Sequence, residues 1–129
     1  MKEEIVFNSS TESFPPAGHY SHTATAGGFV FISGQLPVTI NGEKKGDAPF
    51  EDQARLVLQN VDACLAGAGV SRQHLVSVRV YVTDISLWPD FNKVYAGWIG
   101  EFRPSRAVAG VAELHYGSAV EVEAIALAQ

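Results

Sequence analysis

The sequence predicts an α+β domain, with one mixed β-sheet backed by two helices on one of its faces. Three observations lead there. Several short runs are rich in β-branched residues, two longer stretches repeat apolar residues at steps of three and four, and short Gly- and Pro-marked loops separate them. At 129 residues the chain is sized for one domain, residues 1–129, around a single core.

Phe14-Pro15-Pro16-Ala17-Gly18 breaks the chain before a first strand read from His19 to Thr25. Ala26-Gly27-Gly28 turns it into a second strand over Phe29–Ser33, because glycine reaches the positive φ of a tight hairpin. Asn41-Gly42 signals another turn, with room for one further strand before the first helix. That helix is expected to start near Asp47. Asp47 serves as its cap, Pro49 suits its first turn, and Glu51 and Asp52 suit its positive end. Phe50, Ala54, Val57, Leu58, Val61, Cys64, Leu65 and Ala68 form one apolar stripe, and Gly69 stops it. Leu75–Thr83 reads as a strand, with Val76, Val78, Val80 and Val82 on one face and Ser77, Arg79, Tyr81 and Thr83 on the other. A second helix starts near Trp88 or Pro89, buries Phe91, Val94, Tyr95 and Trp98, and ends near Gly100. Strands follow from Arg106 to about Ala112 and from Val120 to Leu127, with a turn at Tyr116-Gly117-Ser118. Two helices cover only one face of such a sheet, so the other face calls for a second subunit.

Nine basic against fourteen acidic residues give a net charge of −5. That charge argues against a nucleic-acid or anionic-membrane partner, since both need an excess of Lys and Arg. The single cysteine, Cys64, excludes an internal disulfide and a cysteine-based metal site and fits a reducing compartment. The start Met1–Phe7 has no apolar segment of signal-peptide length, so a cytoplasmic location is expected.

Arg106 heads the small apolar run Ala107–Ala112. A guanidinium there needs a partner, and its planar fork grips a carboxylate through two parallel hydrogen bonds. The plain alternative is an internal salt bridge or simple exposure. Glu121 and Glu123 sit two apart in a strand and so share a face, where mutual repulsion can raise one pKa for acid–base work. Their alternatives are a solvated strand face, or a pair neutralised by Arg79 or Arg106. His19 and His22 would point to opposite sides of a strand with no third ligand, so no metal site is read. His74 and His115 read as ordinary surface residues, and Cys64 as core.

Taken together, Gly18-His19-Tyr20, Phe31-Ile32-Ser33-Gly34-Gln35-Leu36-Pro37-Val38, Gln53-Ala54-Arg55, Leu58-Gln59-Asn60-Val61, Val80-Tyr81-Val82-Thr83-Asp84, Pro104-Ser105-Arg106 and Val120-Glu121-Val122-Glu123-Ala124-Ile125-Ala126 resemble the reactive-intermediate deaminase family (RidA/YjgF-type, also known as endoribonuclease L-PSP). The resemblance implies a chorismate-mutase-like fold, a homotrimer and three clefts between subunits. It implies hydrolysis of short-lived 2-imino or enamine acids to 2-keto acids and ammonia, without cofactor or metal. Residue by residue, it assigns Arg106 to the substrate carboxylate and Glu121 to the attacking water. Tyr20 and Ser33 become polar groups of the cleft, with Gly34, the main chain at Val108, and Tyr95 and Phe91 beside the substrate. Val108 stands where the archetype has cysteine, and His19 where it has proline. With bulky Tyr95 and Trp98 on the second helix, these departures put the substrate, rather than the reaction class, in question. Other readings are a specialised catabolic enamine deaminase of aminomuconate or aminoacrylate type, a non-catalytic keto-acid binder, and the ribonuclease of the family label, which the negative charge disfavours.

Overall fold

Alternating burial along three of the strands sets the architecture. In a computed structural model describing residues 4–129, six strands form one mixed sheet in the order β1-β2-β3-β6-β4-β5. They are β1 (Val6–Asn8), β2 (Thr23–Ala26), β3 (Phe29–Gln35), β4 (Leu75–Val82), β5 (Ser105–Gly110) and β6 (Val120–Leu127). Helices α1 (Phe50–Gly67) and α2 (Trp88–Ile99) complete the fold. Of the opening stretch Met1–Phe7, Met1–Glu3 lie outside the described residues.

All neighbouring strands are antiparallel except β4 and β5, which run parallel and are joined through α2. A parallel pair needs such a crossover, since no tight turn can return the chain in the same direction. Val30 and Ile32 of β3, Val78, Val80 and Val82 of β4, and Val120, Val122, Ala124 and Ala126 of β6 point to one face. They meet the α1 stripe of Ala54, Val57, Leu58, Val61, Cys64 and Leu65, every member at most 1% exposed. Phe91, Tyr95 and Ile99 of α2 close that core. Glycines end both helices at positive φ, Gly69 at +78° and Gly100 at +66°.

Several expectations are corrected. The segment from His19 to His22 is not strand; β2 begins at Thr23. His22 is 3% exposed, accepts at Nδ1 from the Ser10 amide (2.9 Å) and pairs through Nε2 with the Phe14 carbonyl (2.9 Å). It therefore braces the N-terminal loop. The additional strand before α1 reduces to one bridge, Val38 to Lys44. Asp47 does not cap α1; Pro49 occupies that position and no side chain caps it. Val76 leaves the valine face because the register slips between Leu75 and Ser77, which buries Leu75 instead. β5 stops at Gly110, and β1 had no clear sequence signal, being only three exposed residues on an edge.

Among the described residues nothing covers the opposite face. Phe7 and Phe31 come into line across β1–β2–β3, Ile125 stands opposite Phe31, and Leu127 stands opposite Phe29. Phe7, Phe29, Phe31 and Leu127 are 40–66% exposed. Next to this apolar half lies a charged one, with Tyr81 opposite Glu121 and Arg79 opposite Glu123.

Candidate active site

Register decides where Arg106 and Glu121 point. Arg106 is paired with Val78 on β4, so its side chain projects from the helix-covered face. Glu121 is paired with Tyr81 and projects from the open face. Paired residues on neighbouring strands share a face, so the two side chains of one chain stand on opposite sides of the sheet.

At the helix side, Arg106 is exposed on edge strand β5 and held from beneath. It donates to Asn92 Oδ1 at 2.7 Å, and its guanidinium lies 4.9 Å from the Tyr95 ring centroid. No carboxylate lies within 4.0 Å of it among the described residues. Stacking and one neutral hydrogen bond orient the fork while leaving most of its donors free. Asn92 gave no signal in the sequence, because a polar residue one position after the buried Phe91 looks like any helix surface position. The Tyr95 hydroxyl is buried, finds no partner among the described residues, and is pushed up in pKa by burial. Phe91, expected beside the substrate, is fully buried in the core and cannot touch one. Val108 packs its side chain on the core and leaves only main chain at the strand edge. Trp98 turns away from Arg106: its Nε1 donates to Asp62 Oδ2 at 2.9 Å, and Arg72 pairs with Asp62 at 3.2 Å.

On the open side, β3 carries a bulge. Ile32 pairs with Ala124 and Gln35 with Val122, so Ser33 and Gly34 together oppose Glu123. Bulges re-aim side chains and open space beside sites. Here the open space is filled by Glu121, whose Oε2 would lie 2.6 Å from a Cβ placed on Gly34. Any other residue at Gly34 would displace that carboxylate. Burial pushes the Glu121 pKa up, while the nearby His115 partly opposes the shift. Glu123 accepts a short hydrogen bond from the Tyr81 hydroxyl, which drives the Tyr81 pKa up. The Ser33 hydroxyl donates to the Ser21 carbonyl at 2.8 Å, so it is already engaged. Tyr20 is half-exposed and accepts at its hydroxyl from the Ala17 amide at 3.3 Å. Tyr20 and Ser33 line one groove of the open face with Glu123. The structure therefore assembles Tyr20, Ser33, Gly34 and Glu121 at one place and Arg106, Tyr95 and Val108 at another. His115 is the neighbour of Glu121 that sequence reading missed; it lies in a 3-10 turn (His115–Gly117) just ahead of β6.

Among the described residues, no group of three His, Cys, Asp or Glu side chains could hold a metal ion, and no helix is long and apolar enough to cross a membrane.

A family model described as endoribonuclease L-PSP matches residues 10–128. The chain belongs to this RidA/YjgF-type family. A RutC family protein of Pyrococcus horikoshii is 41% identical over 127 residues, covering 96% of this chain and 97% of that protein. A putative reactive intermediate deaminase, TdcF of Escherichia coli, is 37% identical over 123 residues, covering 91% and 93%. The crystal structure of E. coli TdcF with bound serine superposes with a TM-score of 0.89 at 33% identity, over 96% of this chain and 99% of that one. The crystal structure of yeast Mmf1 reaches 0.93 at 32% identity, over 98% and 100%. The sheet with two helices on one face is thus the fold of the RidA/YjgF-type family. Its members carry both deaminase and endoribonuclease names.

Proposed function

We propose that this protein hydrolyses reactive 2-imino acids, and the enamines in equilibrium with them, to 2-keto acids and ammonia. One observation carries this reading: a free, pre-oriented guanidinium and a half-buried carboxylate of raised pKa stand on opposite faces of one sheet. Neither face alone forms a catalytic cleft. A second copy laid on the open face would bring its own Arg106 edge towards Glu121. A homotrimer with three such clefts satisfies every copy at once and covers the exposed phenylalanines, as closed cyclic symmetry requires. The RidA-type deaminase name of a close-length relative, and the serine bound to it in the crystal, support a small amino-acid-like substrate.

The chemistry demands little of the protein. An iminium carbon is already electrophilic, so orientation and proton handling supply most of the acceleration. Arg106 grips the substrate carboxylate through two parallel hydrogen bonds. Glu121 accepts a proton from a water molecule as its oxygen attacks the imine carbon, giving a carbinolamine. Returning that proton to nitrogen makes ammonia the leaving group; the C–N bond breaks as the hydroxyl gives its proton to Glu121 and the carbonyl forms, and Glu121 passes that proton to the departing ammonia. Iminium plus water thus becomes ketone plus ammonium, in balance. Tyr20 presents a hydroxyl to the same space. Burial raises the Glu121 pKa, which makes its carboxylate a stronger base towards water than an exposed one.

The test couples the purified protein to an amino-acid oxidase that generates imino acids. Keto-acid formation should exceed the rate in buffer, and Arg106→Met should lower kcat/KM on the order of a hundredfold, as losing a buried charge pair costs about 3 kcal/mol. A rate equal to buffer across several amino acids would refute the reading, and a ribonuclease assay run in parallel addresses the other family name.

A further inference from the structure

A cavity of about 110 Å³ lies at the end of β3, bordered by both Tyr20 and Gly34. Its walls are fixed by two buried amides of α1. Asn60 donates from Nδ2 to the carbonyls of Leu36 (3.0 Å) and Val38 (2.9 Å), which line the cavity or its rim. Gln53 donates from Nε2 to the carbonyls of Gly46 (3.1 Å) and Ala48 (2.9 Å) and accepts from the Ala119 amide (2.9 Å). Gln53 thereby ties the loop after Lys44 to the segment that carries Tyr116. Both amides spend their donors on main chain, which leaves Lys44 as the cation of the lining. Its Nζ sits 4.9 Å from the Tyr116 ring centroid, and among the described residues no carboxylate lies within 4.0 Å of it. Tyr116 holds φ +63°, the one positive φ outside glycine among the described residues. Gly46 is pressed against its carbonyl so closely that a Cβ would come within 2.4 Å. The close approach of Gly46 holds the Tyr116 main chain, and the half-exposed ring lies beside the lysine.

We propose that this cavity receives the side chain of the imino acid and selects those ending in a carboxylate, with Lys44 as the counter-ion. The proposal rests on the deaminase reading and names its substrate class. A cavity of about 150 Å³ holds benzene, so this one takes about four or five non-hydrogen atoms, a carboxymethyl or carboxyethyl group. Phe14 and Leu36 offer apolar surface to the stem, and Lys44 meets the charged end. In a protein of net charge −5, a local cation is what makes a second carboxylate welcome.

The test titrates 2-oxoglutarate, oxaloacetate and neutral 2-oxobutanoate into the wild type, Lys44→Met and Lys44→Arg by calorimetry. The same three proteins are assayed on imines generated from acidic and neutral amino acids. The dicarboxylates should bind the wild type about fivefold more tightly, as an exposed charge pair allows. Lys44→Met should erase that preference without weakening 2-oxobutanoate, and Lys44→Arg should keep it. Equal binding of both classes, a preference that survives Lys44→Met, or binding of neither would overturn the proposal. Acceleration of neutral imines with no acidic preference leaves the deaminase reading standing and removes this cavity's role. A Lys44-dependent dicarboxylate preference without imine turnover does the reverse.

Discussion

The two faces of the sheet obey different rules. The helix-covered face is closed by its own chain: valines of β4 and β6 meet the α1 stripe, and among the described residues no charged side chain enters the core. The open face mixes half-exposed phenylalanines with Glu121, Glu123, Arg79 and Tyr81. The first face stores stability. The second is left uncovered by the described residues, and it carries the Glu121 carboxyl, raised in pKa by burial, beside the β3 bulge. A surface held for a partner can keep polar groups that a self-sufficient core would exclude.

The largest effect that separates the two faces is expected from truncation. Leu58→Ala, at a 1% exposed position, should destabilise the chain by about 2–5 kcal/mol in urea unfolding. Phe31→Ala, 46% exposed, should cost the isolated chain far less while weakening self-association in sedimentation. Comparable unfolding losses for the two would break the contrast.

Next comes complementation between copies. If Arg106 and Glu121 meet only across subunits, Arg106→Met and Glu121→Gln should each keep only about a hundredth of wild-type activity alone. Refolded together, they should regain up to about a quarter of wild-type activity through random mixing. A mixture that stays at that low level would place both groups in one chain's site and contradict the register argument.

A smaller effect concerns pH. Burial raises the Glu121 pKa, so the folded chain holds its proton to higher pH than the unfolded chain does. That contribution to stability is fully present below the unfolded value, about 4.3, and is lost as pH rises through the raised folded value. Glu121→Gln cannot lose it, so the variant should gain on the wild type across that window. Flat parallel stability curves would show an unperturbed carboxyl. The smallest change is Asn92→Ala, which releases the fork of Arg106. It should raise KM by about tenfold or less with kcat nearly kept, consistent with one charge-assisted hydrogen bond. An unchanged KM would mean that Tyr95 alone orients the guanidinium.

Strong patterns read well and weak ones did not. The α1 stripe, the β6 strand and the glycine stops were legible because burial repeats over many residues and one period dominates. The Asp47 cap, the strand at His19–His22 and the place of Val76 were misread because each hangs on a single residue's local geometry. Phe91 shows the limit on the candidate site: its stripe position marked it as core, while resemblance placed it beside the substrate, and the core position is where it stands. Asn92 and His115 were illegible, since one needs the parallel pairing of β5 to meet Arg106 and the other needs the turn into β6 to approach Glu121.

By itself the sequence determined the helices, most of the strands, the paired glutamates on one strand face and, through its motifs, the family. Those depend on local periodicity and on residues a few positions apart. Only the tertiary structure decided that Arg106 and Glu121 of one chain cannot meet, that Gly34 makes room for a carboxylate, and that Lys44 overlooks a cavity. Each of these depends on which strands are neighbours and on where a register slips, relations that link residues tens of positions apart and leave no periodic trace along the chain.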